Sequence, residues 1–155
     1  MVTDTFDFLE RHGGAASAAL TAEATARALE ERRQVRQNLL AVVAASALTA
    51  TEVAARLEVS LAVVNQLAYE ARLYAFKQSR SATLLFPCWQ FVDSGLLPGL
   101  DRVLASLPDE WEPLDVDEWM TSPCDELDGK SPLEWLAAGR GPNSVVNSLD
   151  EELRR

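Results

Sequence analysis

One histidine and two cysteines in 155 residues leave little raw material for catalysis, metal binding or cross-linking. Cys88 and Cys124 are too few and too far apart for a disulfide framework, and no Cys/His cluster accompanies them, so both read as reduced packing residues. His12, beside Gly13 and Gly14, reads as a surface residue rather than a general base. There is no glycine-rich phosphate loop, because Gly139-Arg140-Gly141 reads as a helix stop. The acids Asp109, Glu110, Glu112, Asp115, Asp117 and Glu118 lack the spacing and turn glycine of a calcium loop and read as a solvated face. The longest apolar stretch, Leu39 to Leu48, is too short to span a bilayer, and Met1 to Glu10 lacks the basic and apolar regions of a signal peptide. These absences argue against an enzyme, a metal or cofactor site and a membrane protein. They leave the expectation of a cytoplasmic binding protein.

A basic surplus is also missing, and its absence is uneven. The net charge of -10 divides into -2 over residues 1–20, +2 over 21–80 and -10 over 81–155. Phosphate contacts dominate non-specific nucleic-acid affinity, so any DNA binding is expected within residues 21–80. The acidic remainder suits a protein partner.

The rest of the chain reads as mainly helical, in three parts: an N-terminal helical segment (1–38), a helix-turn-helix-like region (39–94) and an acidic helical region (95–155). Residues 15–47, rich in Ala, Leu, Glu, Arg and Gln and without Pro or Gly, predict helix, with a break near Thr21 where a threonine can cap a new start. The charged run Glu30–Arg36 reads as a solvated face, with pairing between two chains as the alternative. Thr49 and Glu52 form a capping box for a short helix carrying Val53, Ala54 and Leu57. Ser60 caps a second, with Leu61, Val64, Leu67 and Ala68 at core spacing, predicted to run to about Tyr74. Residues 74–77 and 82–86 then predict a short hairpin or wing, and Trp89 and Phe91 are expected to lock it onto the helices.

Two helices joined by a tight turn suggest a helix-turn-helix, although Glu58 stands where a turn glycine is usual. In a DNA-reading arrangement Ser60, Ala62, Asn65 and Gln66 would face the major groove, with Tyr69 and Arg72 near the backbone and Lys77 and Arg80 in the wing holding phosphates. The bland reading is a helical packing unit, since no Lys or Arg precedes Arg72 in the second helix.

Further on, short helices are predicted over about 98–107 and 113–120, and a last one from about Asn143. Between them, Leu127 to Arg140 holds a complete local programme: Ser131 as cap, Pro132 at the first helical position, Glu134 closing a capping box and Gly139 as stop. Leu133, Trp135, Leu136 and Ala137 give this helix more apolar surface than one solvated face should carry. Trp89 and Trp119 read as core, whereas Trp135 is left between core and an interface with another chain.

The order of these elements, with Leu-Phe-Pro87-Cys-Trp-Gln90-Phe91, Leu97-Pro-Gly-Leu100 and Leu127-Asp-Gly-Lys-Ser-Pro132-Leu-Glu-Trp-Leu136 before Gly139, resembles the Xre/MbcA/ParS-like antitoxins over about residues 50–150. The resemblance implies a mainly α-helical antitoxin without enzymatic activity. Its implied partners are a RES-domain toxin that degrades NAD⁺, whose active-site entrance it covers, and operator DNA, with a dimer or other homo-oligomer inside the complex. The toxin-facing residues would then come from Leu127, Ser131, Pro132, Trp135, Leu136, Arg140, Val145 and the tail with Arg154 and Arg155, with Arg140 and the tail as blocking elements. A regulator without a toxin is the alternative.

Overall fold

In the computed structural model the backbone is described over residues 3–78 and 80–155, and side chains from Ser17 onward, which leaves the His12 side chain outside the described ones. Helix α1 (Thr3–Ser46) runs without the predicted break. The Thr21 hydroxyl donates to the Ser17 carbonyl at 2.8 Å, and Thr25 repeats this toward Thr21. Both hydroxyls bond back into the preceding turn, so neither caps a new start. The chain divides into two compact units, residues 1–38 and 39–155. In the first, every described side chain from Ser17 to Asn38 is exposed.

The second unit opens with a winged helix-turn-helix. Strand β1 (Leu48–Thr49) leads into α2 (Ala50–Leu57), α3 (Leu61–Tyr69), β2 (Phe76–Lys77) and β3 (Leu84–Phe86). The three strands form an antiparallel sheet in the order β1-β3-β2, with Leu48 opposite Phe86 and Phe76 opposite Leu85. Strand β1 was not expected, because two residues are too few to show an alternating pattern. Val53, Val64, Leu73, Phe86 and Phe91 form the cluster beneath. Helix α3 stops five residues short of the predicted end. Ala71 turns into the left-handed region at φ 56°, and the N–H groups of Arg72 and Leu73 return to the Leu67 carbonyl at 2.9 and 3.2 Å. That closure drops Leu73 into the core, a gain of roughly 1.5–3 kcal/mol for a buried leucine.

A 3₁₀ turn (Cys88–Gln90) and a hairpin of β4 (Phe91–Val92) and β5 (Gly95–Leu96) connect to the acidic part. Helices α4 (Leu100–Leu104), α5 (Pro113–Thr121), α6 (Pro132–Ala137) and α7 (Pro142–Leu153) follow, with a 3₁₀ turn at Asp125–Leu127. They enclose a second cluster that includes Trp89, Leu100, Val116, Met120, Leu127, Leu136 and Val145. Helix α4 starts later than the pattern suggested because Gly99 adopts φ 75° at its cap, and a Cβ there would stand 2.8 Å from Pro142 Cβ at the head of α7. The described residues are mainly α-helical, with one small three-stranded sheet and one two-stranded hairpin.

Gln90 joins the two clusters. Its side chain is fully buried, its Nε2 donates to the Tyr74 carbonyl at 2.7 Å, and its Oε1 accepts from the Tyr74 N–H at 2.7 Å. Its own carbonyl accepts from the Leu97 N–H at 2.7 Å. On either side of it, Trp89 enters the second cluster and Phe91 the first. Replacing Gln90 by leucine strands a buried N–H and a buried carbonyl of Tyr74, and each such orphan costs about 1–3 kcal/mol. Gln90→Leu should therefore lower unfolding stability by roughly 2–4 kcal/mol in urea titrations. A loss below about 1 kcal/mol would show that the amide does not hold the unit together.

Candidate functional site

The turn between α2 and α3 is built by caps. Thr49 Oγ1 accepts from the Glu52 N–H at 3.3 Å while Glu52 Oε2 accepts from the Thr49 N–H at 2.7 Å, closing the capping box. At the other end Glu58 takes φ 55° and ψ 42°, the left-handed geometry that the usual glycine would supply. The Val59 N–H donates to the Ala54 carbonyl at 3.0 Å, and Ser60 Oγ then accepts from the Val63 N–H at 3.3 Å to start α3. Val53 and Val64, both fully buried, fix the two helices against each other.

This leaves one face of α3 outward. Ser60, Ala62, Asn65 and Gln66 are all exposed, and Tyr69 is 88% exposed. Arg72, just past the helix, and Lys77 and Arg80 in the wing are exposed as well. Gln66 Nε2 donates to Glu70 Oε1 at 2.7 Å, so a carboxylate one turn away holds its amide. The eight residues expected from sequence to face DNA thus lie on the surface of a helix-turn-helix and its wing.

The expected toxin-facing residues divide differently. Leu127, Leu136 and Val145 are fully buried, and Ser131 and Pro132 are buried too, so these five side chains pack inward around α6 in this chain. Of the apolar surplus of the Leu127–Arg140 run, Leu136 enters the chain's own core, Leu133 and Trp135 are partly buried against it and Ala137 is exposed. Trp135 is half-buried against that cluster, and its indole N–H donates to the Gly141 carbonyl at 3.0 Å. The Arg140 guanidinium lies 4.4 Å from the Trp135 ring centroid and pairs with Asp128 at 3.3 Å, on the surface. Arg154 pairs with Glu151 at 2.8 Å, and Arg155 pairs with Glu126 and Glu152. Exposed Arg140, its Trp135 platform and the two terminal arginines are what remains of the expected surface.

Sequence reading missed one pairing in this region. The rings of Trp111 and Trp119 meet edge to face at 5.8 Å, beside Asp115 and Glu118. Acids and an indole at positions 115, 118 and 119 share one face of α5, and that spacing was the available signal.

No protein-family profile and no curated protein matches the chain. Among solved structures it is similar to the NMR structure of the M. tuberculosis protein Rv2175c, with a TM-score of 0.50 and 23% identity over 65% of this chain and 76% of that one. The likeness is one of fold. It gives Rv2175c and this chain a shared chain path and leaves the chemistry to the residues described above. Among the described residues no group of three or more His, Cys, Asp or Glu is placed to hold a metal ion, and no helix is long and apolar enough to cross a membrane.

The cap of α6 carries a pH dependence. Glu134 Oε2 accepts from the Ser131 N–H at 2.8 Å and its own N–H donates to Ser131 Oγ at 3.1 Å. The backbone hydrogen bond from Ser131, followed by that residue's side-chain bond, lowers the Glu134 pKa from the usual 4.5. A depressed carboxylate pKa adds stability that is present above the unfolded value and lost as pH falls through the folded one. Stability measured by urea between pH 6 and pH 3 should fall less steeply in Glu134→Gln than in the parent, and parallel curves would contradict this.

Proposed function

We propose that this chain is a promoter-binding regulator of the antitoxin kind, non-enzymatic and cofactor-free, that reads DNA through α3 and the wing and neutralises a RES-domain toxin through its acidic part. The outward face of α3 carries the proposal. Asn65 and Gln66 present amides suited to adenine edges near the head of the second helix, and Arg72, Lys77 and Arg80 are spaced for backbone phosphates around them. So few cations give a single copy weak grip, and two copies on adjacent half-sites double it.

Toxin neutralisation is supported by the motif resemblance and by exposed Arg140 stacked on Trp135. Held on one side by an indole and on the other by Asp128, the guanidinium is presented in a fixed direction, which suits a site that binds phosphate-bearing NAD⁺. Helix α7 contributes Val145 and Leu149 to the core, so removing residues 143–155 would unfold the unit rather than test a blocking tail.

With DNA from upstream of the chain's own reading frame, Asn65→Ala should weaken specific binding about 10- to 100-fold and leave non-specific binding unchanged. Lys77→Ala should weaken binding to all sequences and reduce the salt slope by about 1. Fluorescence anisotropy at several salt concentrations reads both, and undiminished specific binding by Asn65→Ala would refute the assignment of α3.

Neutralisation is checked separately by co-expression with a RES-domain toxin from the adjacent reading frame. The wild-type chain should restore growth and Arg140→Ala should fail to do so while remaining folded by circular dichroism. Full rescue by Arg140→Ala would remove Arg140 from the role.

A further inference from the structure

A cleft of about 450 Å³ lies between α5, the turn at Ser122–Glu126 and α7. Its α5 side is lined by the indoles of Trp111 and Trp119 with the carboxylates of Asp115 and Glu118. Asp125, Glu126 and Glu152 line the other side. Five carboxylates and two aromatic rings line this one concavity. Indole faces carry negative potential, and carboxylates add to it, so the cleft selects cations. Its shape further favours a flat one, because a guanidinium can lie against a ring while its edge reaches carboxylate oxygens.

The chain itself supplies an example of that recognition. Arg155 enters the cleft from α7 and pairs with both Glu126 and Glu152, at 3.4 Å for the latter. Glu126 is also held from behind by the Cys124 thiol, which donates to it at 2.9 Å. Arg155 engages the α7 side, and neither Glu118 nor the two indoles pairs with it.

We propose that this cleft is a docking site for an arginine side chain from a basic segment of a partner protein, with Arg155 as the internal occupant that the incoming arginine displaces. The site shares Arg155 but neither Trp135 nor Arg140 with the expected toxin-facing surface, shares no residue with α3, and does not depend on promoter binding. An arginine on the partner would lie against Trp119 and bond to Glu118 on one side and to Glu126 or Glu152 on the other. Charge complementarity with the acidic half brings the partner in, and the indoles supply preference for guanidinium over ammonium.

The test uses the full chain and three capped peptides of equal length that carry arginine, lysine or glutamine at the same positions. Binding is followed through the four indole N–H signals in ¹⁵N-correlated NMR spectra. The arginine peptide should move the Trp111 and Trp119 signals and leave those of Trp89 and Trp135 in place, with the lysine peptide weaker and the glutamine peptide inert. Exposed Glu118→Gln should weaken the arginine peptide roughly three- to fivefold, and Arg155→Ala should strengthen it by removing the competitor. Unmoved Trp111 and Trp119 signals, equal movement of all four, unchanged affinity in Glu118→Gln, weaker binding in Arg155→Ala or equal binding of the lysine peptide would each overturn the assignment.

Discussion

A buried amide sets the terms for residues 39–155. Gln90 has no water to turn to, and it satisfies its donor and its acceptor on the backbone of a single residue, Tyr74. Such a two-point bond fixes distance and direction together, so the 3₁₀ turn and the start of the wing are held in register. Trp89 and Phe91, pointing to different clusters, convert that local bond into a joint between the two cores. The Tyr74 ring completes the joint by stacking on Trp89 at 6.1 Å. Burial first, and then the charge of Asp115, push the Tyr74 hydroxyl up to about 12, so it stays neutral and adds no charge to the seam.

The same unit tolerates backbone geometry that its residues do not favour. Glu58, in the turn of the helix-turn-helix, and Ala71, just past its second helix, both sit at positive φ, where a side chain costs on the order of 1–2 kcal/mol. Each is repaid locally by carbonyls that would otherwise be left open, Ala54 accepting at the first turn and Leu67 at the second. Each turn also directs an apolar side chain inward, Val64 after the first and Leu73 after the second, and both are buried. Packing therefore dictates the turns, and residue preference yields to it.

What could be read from the sequence follows from this balance. Caps were legible because they are local: Thr49 with Glu52, Ser60, and Ser131 with Glu134 all form as their spacing implies. The wing was legible from its change of period, whereas β1 and the β4–β5 hairpin, with two residues per strand, carry no period to read. Thr21 misled because a threonine hydroxyl serves equally as a cap or as a bond to the preceding turn, and only the surrounding helix decides. The apolar excess on α6 left open whether this chain or a partner covers it. Within α6 only Pro132 and Leu136 are buried, while Leu133 and Trp135 are partly buried against the core and Ala137 stays exposed. Gln90 carried no sequence signal at all, since a glutamine between two aromatics looks like any exposed polar residue until its partners are in place.

For the proposed reading of DNA by α3, charge places the last constraint. The charge of -10 over residues 81–155 reaches the edge of this face, because Asp109 lines the same concavity as Asn65 and Tyr69. Glu70 is different, because it lies on the helix-turn-helix itself. Its carboxylate is occupied by the Gln66 amide, and the bond at 2.7 Å fixes that amide's orientation before any base arrives. Pre-orientation removes part of the rotamer entropy that a glutamine otherwise loses on binding. It also leaves Gln66 Oε1 as the outward acceptor, which favours a base edge offering a donor, such as adenine N6 or cytosine N4. If α3 reads DNA as proposed, Glu70 would weaken phosphate attraction slightly and narrow what Gln66 could read, trading affinity for selectivity.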